Sequence, residues 1–232
     1  MEKIIAHIRP IDWTEGDVYG VHLRLAGTKP FATIHWGDGK KDTYWGNEIY
    51  SHHIYPKDPS LYFIIEVEIN ADEILYADPC GGDVENILFD FSQAPSTREI
   101  EIENFEKVIF DNPNLEHLSM RILLGKEYDL SKCPNLKSLM FSPADCRHTI
   151  DLDLSQCHKL EEFSCFGYLG SDVRRITFAN DAPLKEIDIT GHDLHPSCLV
   201  AIHRIVERNN GTIIGEFEEP NDEEPDESIY GF

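Results

Sequence analysis

Four blocks of identical apolar spacing recur between residues 115 and 189: Leu115-Glu-His-Leu-Ser-Met120, Leu136-Lys-Ser-Leu-Met-Phe141, Leu160-Glu-Glu-Phe-Ser-Cys165 and Leu184-Lys-Glu-Ile-Asp-Ile189. Each reads apolar-x-x-apolar-x-apolar, and the starts lie 21, 24 and 24 residues apart. A unit of one short strand and a return turn cannot cover its own apolar face, so the units must stack to make a core. The text before the blocks repeats too, as Asp129-Leu-Ser-Lys-Cys-Pro-Asn-Leu136 against Asp153-Leu-Ser-Gln-Cys-His-Lys-Leu160, with Asp111-Asn-Pro-Asn-Leu115 sharing the ending.

This period and pattern fit a leucine-rich repeat. Arg98-Glu-Ile-Glu-Ile102, preceded by Ile87-Leu-Phe-Asp-Phe91, reads as a degenerate first unit with Thr97 in the leading Leu slot, as expected of a terminal repeat. Residues between the core positions point out of the stack and align as columns on one face. One column is Glu99, His117, Ser138, Glu162 and Glu186; the next is Glu101, Ser119, Met140, Ser164 and Asp188; the third is Glu103, Arg121, Ser142, Phe166 and Thr190. Met140 and Phe166 stand near the middle of this acidic face, and apolar residues ringed by polar ones are typical of interaction sites. The competing reading is that Phe166 folds over a neighbouring repeat and Met140 is only half exposed.

The first 77 residues carry a different period. Ile4–Ile8, Val18–Leu25, Phe31–Trp36, Lys41–Trp45 and Tyr62–Ile69 alternate apolar with polar residues between turn residues, which predicts antiparallel strands in a small sandwich. Asp38-Gly39 is a hairpin signal, because Gly accepts the positive φ of a tight turn. Ile34-His-Trp-Gly-Asp-Gly39, then His53-Ile-Tyr55, then Tyr62-Phe-Ile-Ile-Glu-Val-Glu-Ile69 resembles a PKD domain, an immunoglobulin-like sandwich. His35 stands where that family usually has Asp. A PKD-like sandwich leading into leucine-rich repeats also resembles the BspA-like repeat proteins of Bacteroides and its bacterial relatives, which implies binding rather than chemistry.

The 43 acidic and 20 basic residues give a net charge of −23, which repels phosphate backbones and anionic membranes, and no basic run offsets it. Nucleic acid is excluded as a partner on that ground. No apolar run is long enough to span a membrane, and Met1–Pro10 lacks the pattern of a signal peptide, so a cytoplasmic location is expected of the chain as written and a secreted or surface one only if the N-terminus has been processed. Of the 6 cysteines, Cys133 and Cys157 hold equivalent repeat positions and Cys165 the last apolar slot of its block, which favours stacked buried thiols over a disulfide framework. Cys80, Cys146 and Cys198 show no partners.

At the far end, residues 195–208 form the one convincing helix, with Asp193 or His195 as cap, Pro196 in the first turn and Leu199, Ile202, Ile205 and Val206 on one face. Such a helix caps a repeat stack. Residues 216–232 are an acidic tail whose like charges oppose packing.

Chemistry is sparse. His192, His195 and Cys198 match no common metal spacing, so no metal or other cofactor is expected. His53 takes a structural role in the PKD-like pattern and His52 alternates to the opposite face. No nucleophile turn or phosphate loop occurs, and a thin stack offers no deep pocket for raising a carboxyl pKa. The fold class expected is therefore mainly β with an α/β solenoid component: an immunoglobulin/PKD-like sandwich over residues 1–77, a linker over 78–86, leucine-rich repeats over 87–215 and the tail. The expected function is non-enzymatic binding of a protein partner through His117, Ser119, Arg121, Met140, Ser142, Glu162, Ser164, Phe166, Asp188 and Thr190. Two alternatives stand beside it: an acidic inhibitor or immunity-type protein neutralising a basic partner, and a carbohydrate-binding accessory using Trp13, Tyr44 or Trp45 of the sandwich.

Overall fold

The computed structural model describes residues 1–10, 17–55, 61–79, 84–122, 128–143, 149–165, 172–192 and 194–215. The architecture is mainly β, with one helix among these residues. One six-stranded sheet contains β1 (Glu2–Pro10), β3 (Phe31–His35), β4 (Lys41–Trp45), β6 (Phe63–Asn70), β8 (Val84–Gln93) and β10 (Phe105–Ile109), ordered β10-β8-β1-β6-β3-β4. A nine-stranded sheet contains β2 (Asp17–Ala26), β5 (Glu48–Tyr55), β7 (Glu73–Asp78), β9 (Glu99–Glu103), β11 (His117–Ile122), β12 (Ser138–Pro143), β14 (Glu162–Cys165), β16 (Glu186–Asp188) and β17 (Thr212–Ile214). Its order is β17-β16-β14-β12-β11-β9-β7-β2-β5. β13 (Thr149–Leu154) and β15 (Asp172–Phe178) pair separately.

In the N-terminal third the period of two decides which residues go in. Ile4, Ala6 and Ile8 of β1, Tyr19, Val21, Leu23 and Leu25 of β2 and Ile65, Val67 and Ile69 of β6 are buried in one continuous core. Antiparallel registers hold them there, as Ile4 opposes Val67 and Ala6 opposes Ile65. The Trp36-Gly-Asp-Gly39 turn is fixed by side chains far away in sequence. Trp36 is fully buried, its indole N–H donates to Asp42 at 2.7 Å, and Tyr55 donates its hydroxyl to the Trp36 carbonyl at 2.7 Å. His53 stacks on Trp36 with centroids 4.9 Å apart, and its Nε2 lies 3.0 Å from Asp38 Oδ2. His52 faces out, as the alternation requires.

From β9 onward the sheet is parallel and strictly sequential. Leu118 and Met120, Leu139 and Phe141, Phe163 and Cys165, and Ile187 and Ile189 are all buried, as are the leading Leu115, Leu136, Leu160 and Leu184. Thr97 is buried in the equivalent slot and satisfies its hydroxyl on the Ala94 carbonyl at 2.8 Å. The return turns repeat their hydrogen bonds: Cys133 N–H to Leu130 and Leu136 N–H to Cys133, then Cys157 to Leu154 and Leu160 to Cys157. Asn112 occupies the corresponding place one unit earlier, fully buried, donating its amide to the carbonyls of Phe91 and Ala94.

The expected boundary at 78–86 does not separate the sheets. β8 pairs antiparallel with β1 and β10 parallel with β8, so Ile87–Phe91 and Phe105–Ile109 belong to the six-stranded sheet rather than to a repeat. Meanwhile Ala77 of β7 pairs in parallel with Ile100 of β9, and the Arg98 N–H donates to Ile74. The nine-stranded sheet thus runs without a break from the N-terminal strands into the repeats. Of the expected linker, residues 80–83 lie outside the described residues.

Helix α1 (Pro196–Asn209) packs against β15 and β17 with Cys198, Ile202, Ile205 and Val206 buried. His195 is its N-cap, accepting from the Ser197 N–H at 3.3 Å, and Asn210 ends it in the left-handed conformation. Asp193, the other candidate cap, lies outside the described residues, as does the 216–232 tail.

Candidate functional site

The outward residues of the parallel strands line up as the repeat spacing requires. Glu99, His117, Ser138, Glu162, Glu186 and Thr212 are consecutive register partners, and so are Glu101, Ser119, Met140, Ser164, Asp188 and Ile214. Met140 is 44% exposed at the centre, with the Ser119 Oγ 3.8 Å from its sulfur. His117, Arg121, Glu162 and Thr190 are exposed, while Ser119, Ser164 and Asp188 are half-buried. The Ser164 Oγ is enclosed without a partner among the described residues.

The third column departs from expectation. Arg121 pairs with Ser142 in register, but Ser142 is only 8% exposed, between buried Phe141 and buried Pro143, so it presents little surface to a partner. Phe166 lies outside the described residues. Thr190 turns back on Asp188, donating its N–H and hydroxyl to Oδ1 at 3.0 and 2.7 Å.

Charge on this face is unevenly compensated. On β9, Glu99 is held by Arg24 at 2.8 Å, Glu103 by Arg121 at 3.0 Å, and Glu101 accepts from the Tyr76 hydroxyl at 2.9 Å. Burial and that carboxylate push the Tyr76 phenol well above its ordinary range. Toward β14 and β16, Glu162 and Glu186 form no ion pair among the described residues. The face is therefore nearly neutral beside the N-terminal strands and negative at the other end.

Two features lie beyond the three outward columns. The face continues onto the N-terminal strands, where Tyr50 stacks on His22 at 4.0 Å, His22 meets Tyr76 at 4.8 Å and the Arg24 guanidinium lies 4.8 Å over the Tyr76 ring. No local signal announces this, because it depends on β7 joining β9. The second feature is a row of alternating charges along the start of the parallel strands: Glu73 to Arg98 at 2.8 Å, Arg98 to Glu116 at 3.8 Å, Glu116 to Lys137 at 2.8 Å, and Glu161 to Lys185 at 2.5 Å. It was legible in the second position of each block, which reads Glu, Lys, Glu, Lys. Hydrogen bonds from Lys137 and Lys185 hold the Glu116 and Glu161 carboxyls below their usual range.

This row borders a cavity of about 320 Å³ lined by Asp72, Glu73, Arg98, Glu116, Lys137 and Lys159 among others. A general acid needs a raised carboxyl pKa, and Glu116 there is shifted the other way. The residues weighed as metal ligands do not converge: His192 Nε2 lies 3.1 Å from Cys165 Sγ, whereas Cys198 Sγ faces the Arg174 carbonyl. Of the carbohydrate candidates, Trp45 is 68% exposed and packs on Phe31 at 4.7 Å, Tyr44 is half-buried on the opposite face of β4, and Trp13 lies outside the described residues.

The chain matches no protein-family model, no curated protein and no solved structure. No helix among the described residues is long and apolar enough to cross a membrane.

Proposed function

We propose that this chain is a non-enzymatic protein-binding module in which a PKD-like sandwich leads into a leucine-rich-repeat solenoid closed by α1, and that its partner docks on the outer face of the parallel strands over Met140. The observation that carries the reading is the register that sets Ser119, Met140 and Ser164 side by side, leaving one exposed thioether in a polar surround. A partner side chain covering Met140 would gain apolar burial at the centre, where binding energy concentrates. BspA-like repeat proteins supply the analogy, and only the analogy.

The uncompensated Glu162 and Glu186 favour a partner with basic groups near its anchor, which is the inhibitor or immunity-type version of the same proposal. Carbohydrate binding rests on Trp45, the one exposed ring of the two described candidates, and is the weaker reading, since sugar platforms gain from several rings in one plane.

The test begins with affinity capture from lysate of the native host and identification of the captured protein. Calorimetry with the purified partner then compares wild type with Met140→Asp. A loss of roughly tenfold or more in affinity, with the melting temperature unchanged, is the expected result. Equal affinity of the two proteins removes the repeat face as the site. Weakening with added salt identifies the acidic end as the contact for a basic partner, since exposed charges are screened.

A further inference from the structure

We infer that β5 is a self-association edge, through which two copies of this chain join their nine-stranded sheets antiparallel about a twofold axis. The argument begins with how the other sheet edges are guarded. An edge strand exposes unpaired N–H and C=O groups, and proteins blunt such edges by shortness or by charged side chains. β17 has three residues. β4 has five and carries Lys41 and Asp42, and β10 has five with Glu106 and Lys107 exposed. β13 exposes Asp151 and Asp153, and β15 exposes Arg174 and Arg175.

β5 is guarded by one charge alone, Glu48 at its first position. It is eight residues long, pairs with β2 on one side and, among the described residues, ends the sheet on the other. Its inward residues Ile49, Ser51, His53 and Tyr55 are buried, and its outward residues are Glu48, Tyr50, His52 and Ile54. Tyr50 is 67% and Ile54 59% exposed, with Val18, the register partner of Ile54 on β2, 37% exposed beside them. Stacking on His22 and the 2.8 Å bond from its hydroxyl to Glu48 hold the Tyr50 ring in place, so ordering it on association costs little.

The sequence of β5 is self-complementary in one register. Antiparallel partners share a face, so a twofold axis perpendicular to the sheet must pass midway between one residue and its own copy. Centring on His52 sets Tyr50 opposite Ile54 of the second copy, twice over, and keeps both buried faces inward. Aromatic against β-branched is a favourable cross-strand pair. Centring on Ser51 instead sets the Glu48 carboxylate against Ile54, a poorer match. In the His52 register the two Glu48 residues lie on the order of 27 Å apart, beyond the ~8–10 Å screening length, so the strand's one acid does not oppose pairing. The net charge of −23 on each copy does oppose it, and salt should relieve that repulsion.

Light scattering and sedimentation from low micromolar to near-millimolar concentration test the proposal on the full chain. The wild type should show a concentration-dependent dimer that tightens with salt, the reverse of the salt response expected for a basic partner on the repeat face. Ile54→Lys and Tyr50→Lys should each weaken it roughly tenfold or more, Ile54→Lys without lowering the melting temperature, since that side chain points outward. His52→Cys should form a covalent dimer on mild oxidation, because opposed residues in an antiparallel pair bring Cα atoms to about 4.5–5.5 Å, while Trp45→Cys on β4, an edge of the six-stranded sheet, should stay at the wild-type level. A monomer at every concentration, or a dimer indifferent to all three β5 substitutions, overturns the proposal and leaves the repeat-face reading untouched.

Discussion

Lys137 Nζ lies 2.8 Å from Glu116 Oε2, one unit of the stack away, and the Lys137 N–H donates to the Glu116 carbonyl at 2.8 Å. Side chain and backbone thus report the same neighbour relation, in a row where acidic and basic residues alternate. Each isolated exposed pair contributes little. An alternating row does more for specificity, because any slip by one unit sets like charge on like. Lys137→Glu should therefore cost on the order of 1 kcal/mol, more than Lys137→Gln, and the difference between the two should close at high salt. Urea denaturation at low and high ionic strength measures it. Equal cost of the two substitutions at low salt removes the electrostatic account.

Asp38 links stability to pH. Burial opposes ionisation of its carboxyl, but the Lys40 N–H and the ring of His53 outweigh burial and hold the carboxyl below its ordinary range. A group whose folded pKa is depressed gives stability that is present above the unfolded value of about 3.9 and is lost as pH falls through the folded value. Asp38→Asn should be less stable than wild type at neutral pH, by about 1–2 kcal/mol. The gap should narrow below about pH 4. Denaturation midpoints from pH 7 down to pH 3 for both proteins decide this; parallel curves would refute it.

Two glycines of the same turn separate strain from collision. Gly37 and Gly39 both have positive φ, at 81° and 89°. A Cβ on Gly37 would lie 2.6 Å from the Ile64 carbonyl oxygen, whereas one on Gly39 would meet nothing within 4 Å. Gly39→Ala should cost about 1 kcal/mol from backbone strain alone. Gly37→Ala should cost roughly 3 kcal/mol or more, because backbone must move. Melting temperatures of the two variants, compared side by side, give the answer.

The thiols of Cys133 and Cys157 are fully enclosed, and burial pushes them up to about 12 and about 11. The thiolate is the reactive species, so alkylation by iodoacetamide at pH 8 should be slow at both in the native protein and fast in denaturant. Peptide mapping after timed labelling tests this, and prompt native labelling at either position would show that the turns open readily. Cys133→Ala should cost about 1–2 kcal/mol from the cavity left between stacked turns.

The sequence by itself determined the repeat. A fixed apolar spacing admits few ways to bury its strands, so the blocks at Leu115, Leu136, Leu160 and Leu184 predict both the parallel register and the columns through Met140. The motif residues Trp36, Asp38, His53 and Tyr55 were equally legible, since an alternating strand and a Gly-containing turn specify local geometry. Only the tertiary structure decided where the N-terminal strands end. β8 returns to β1 and β7 passes the sheet on to β9, and nothing within either segment names a partner dozens of residues away. For the same reason the burial of Ser142, the cluster of Tyr50, His22 and Tyr76, and the edge position of β5 were hidden: pattern fixes which face of a strand is buried, whereas the identity of its neighbours is settled by packing across the whole sheet.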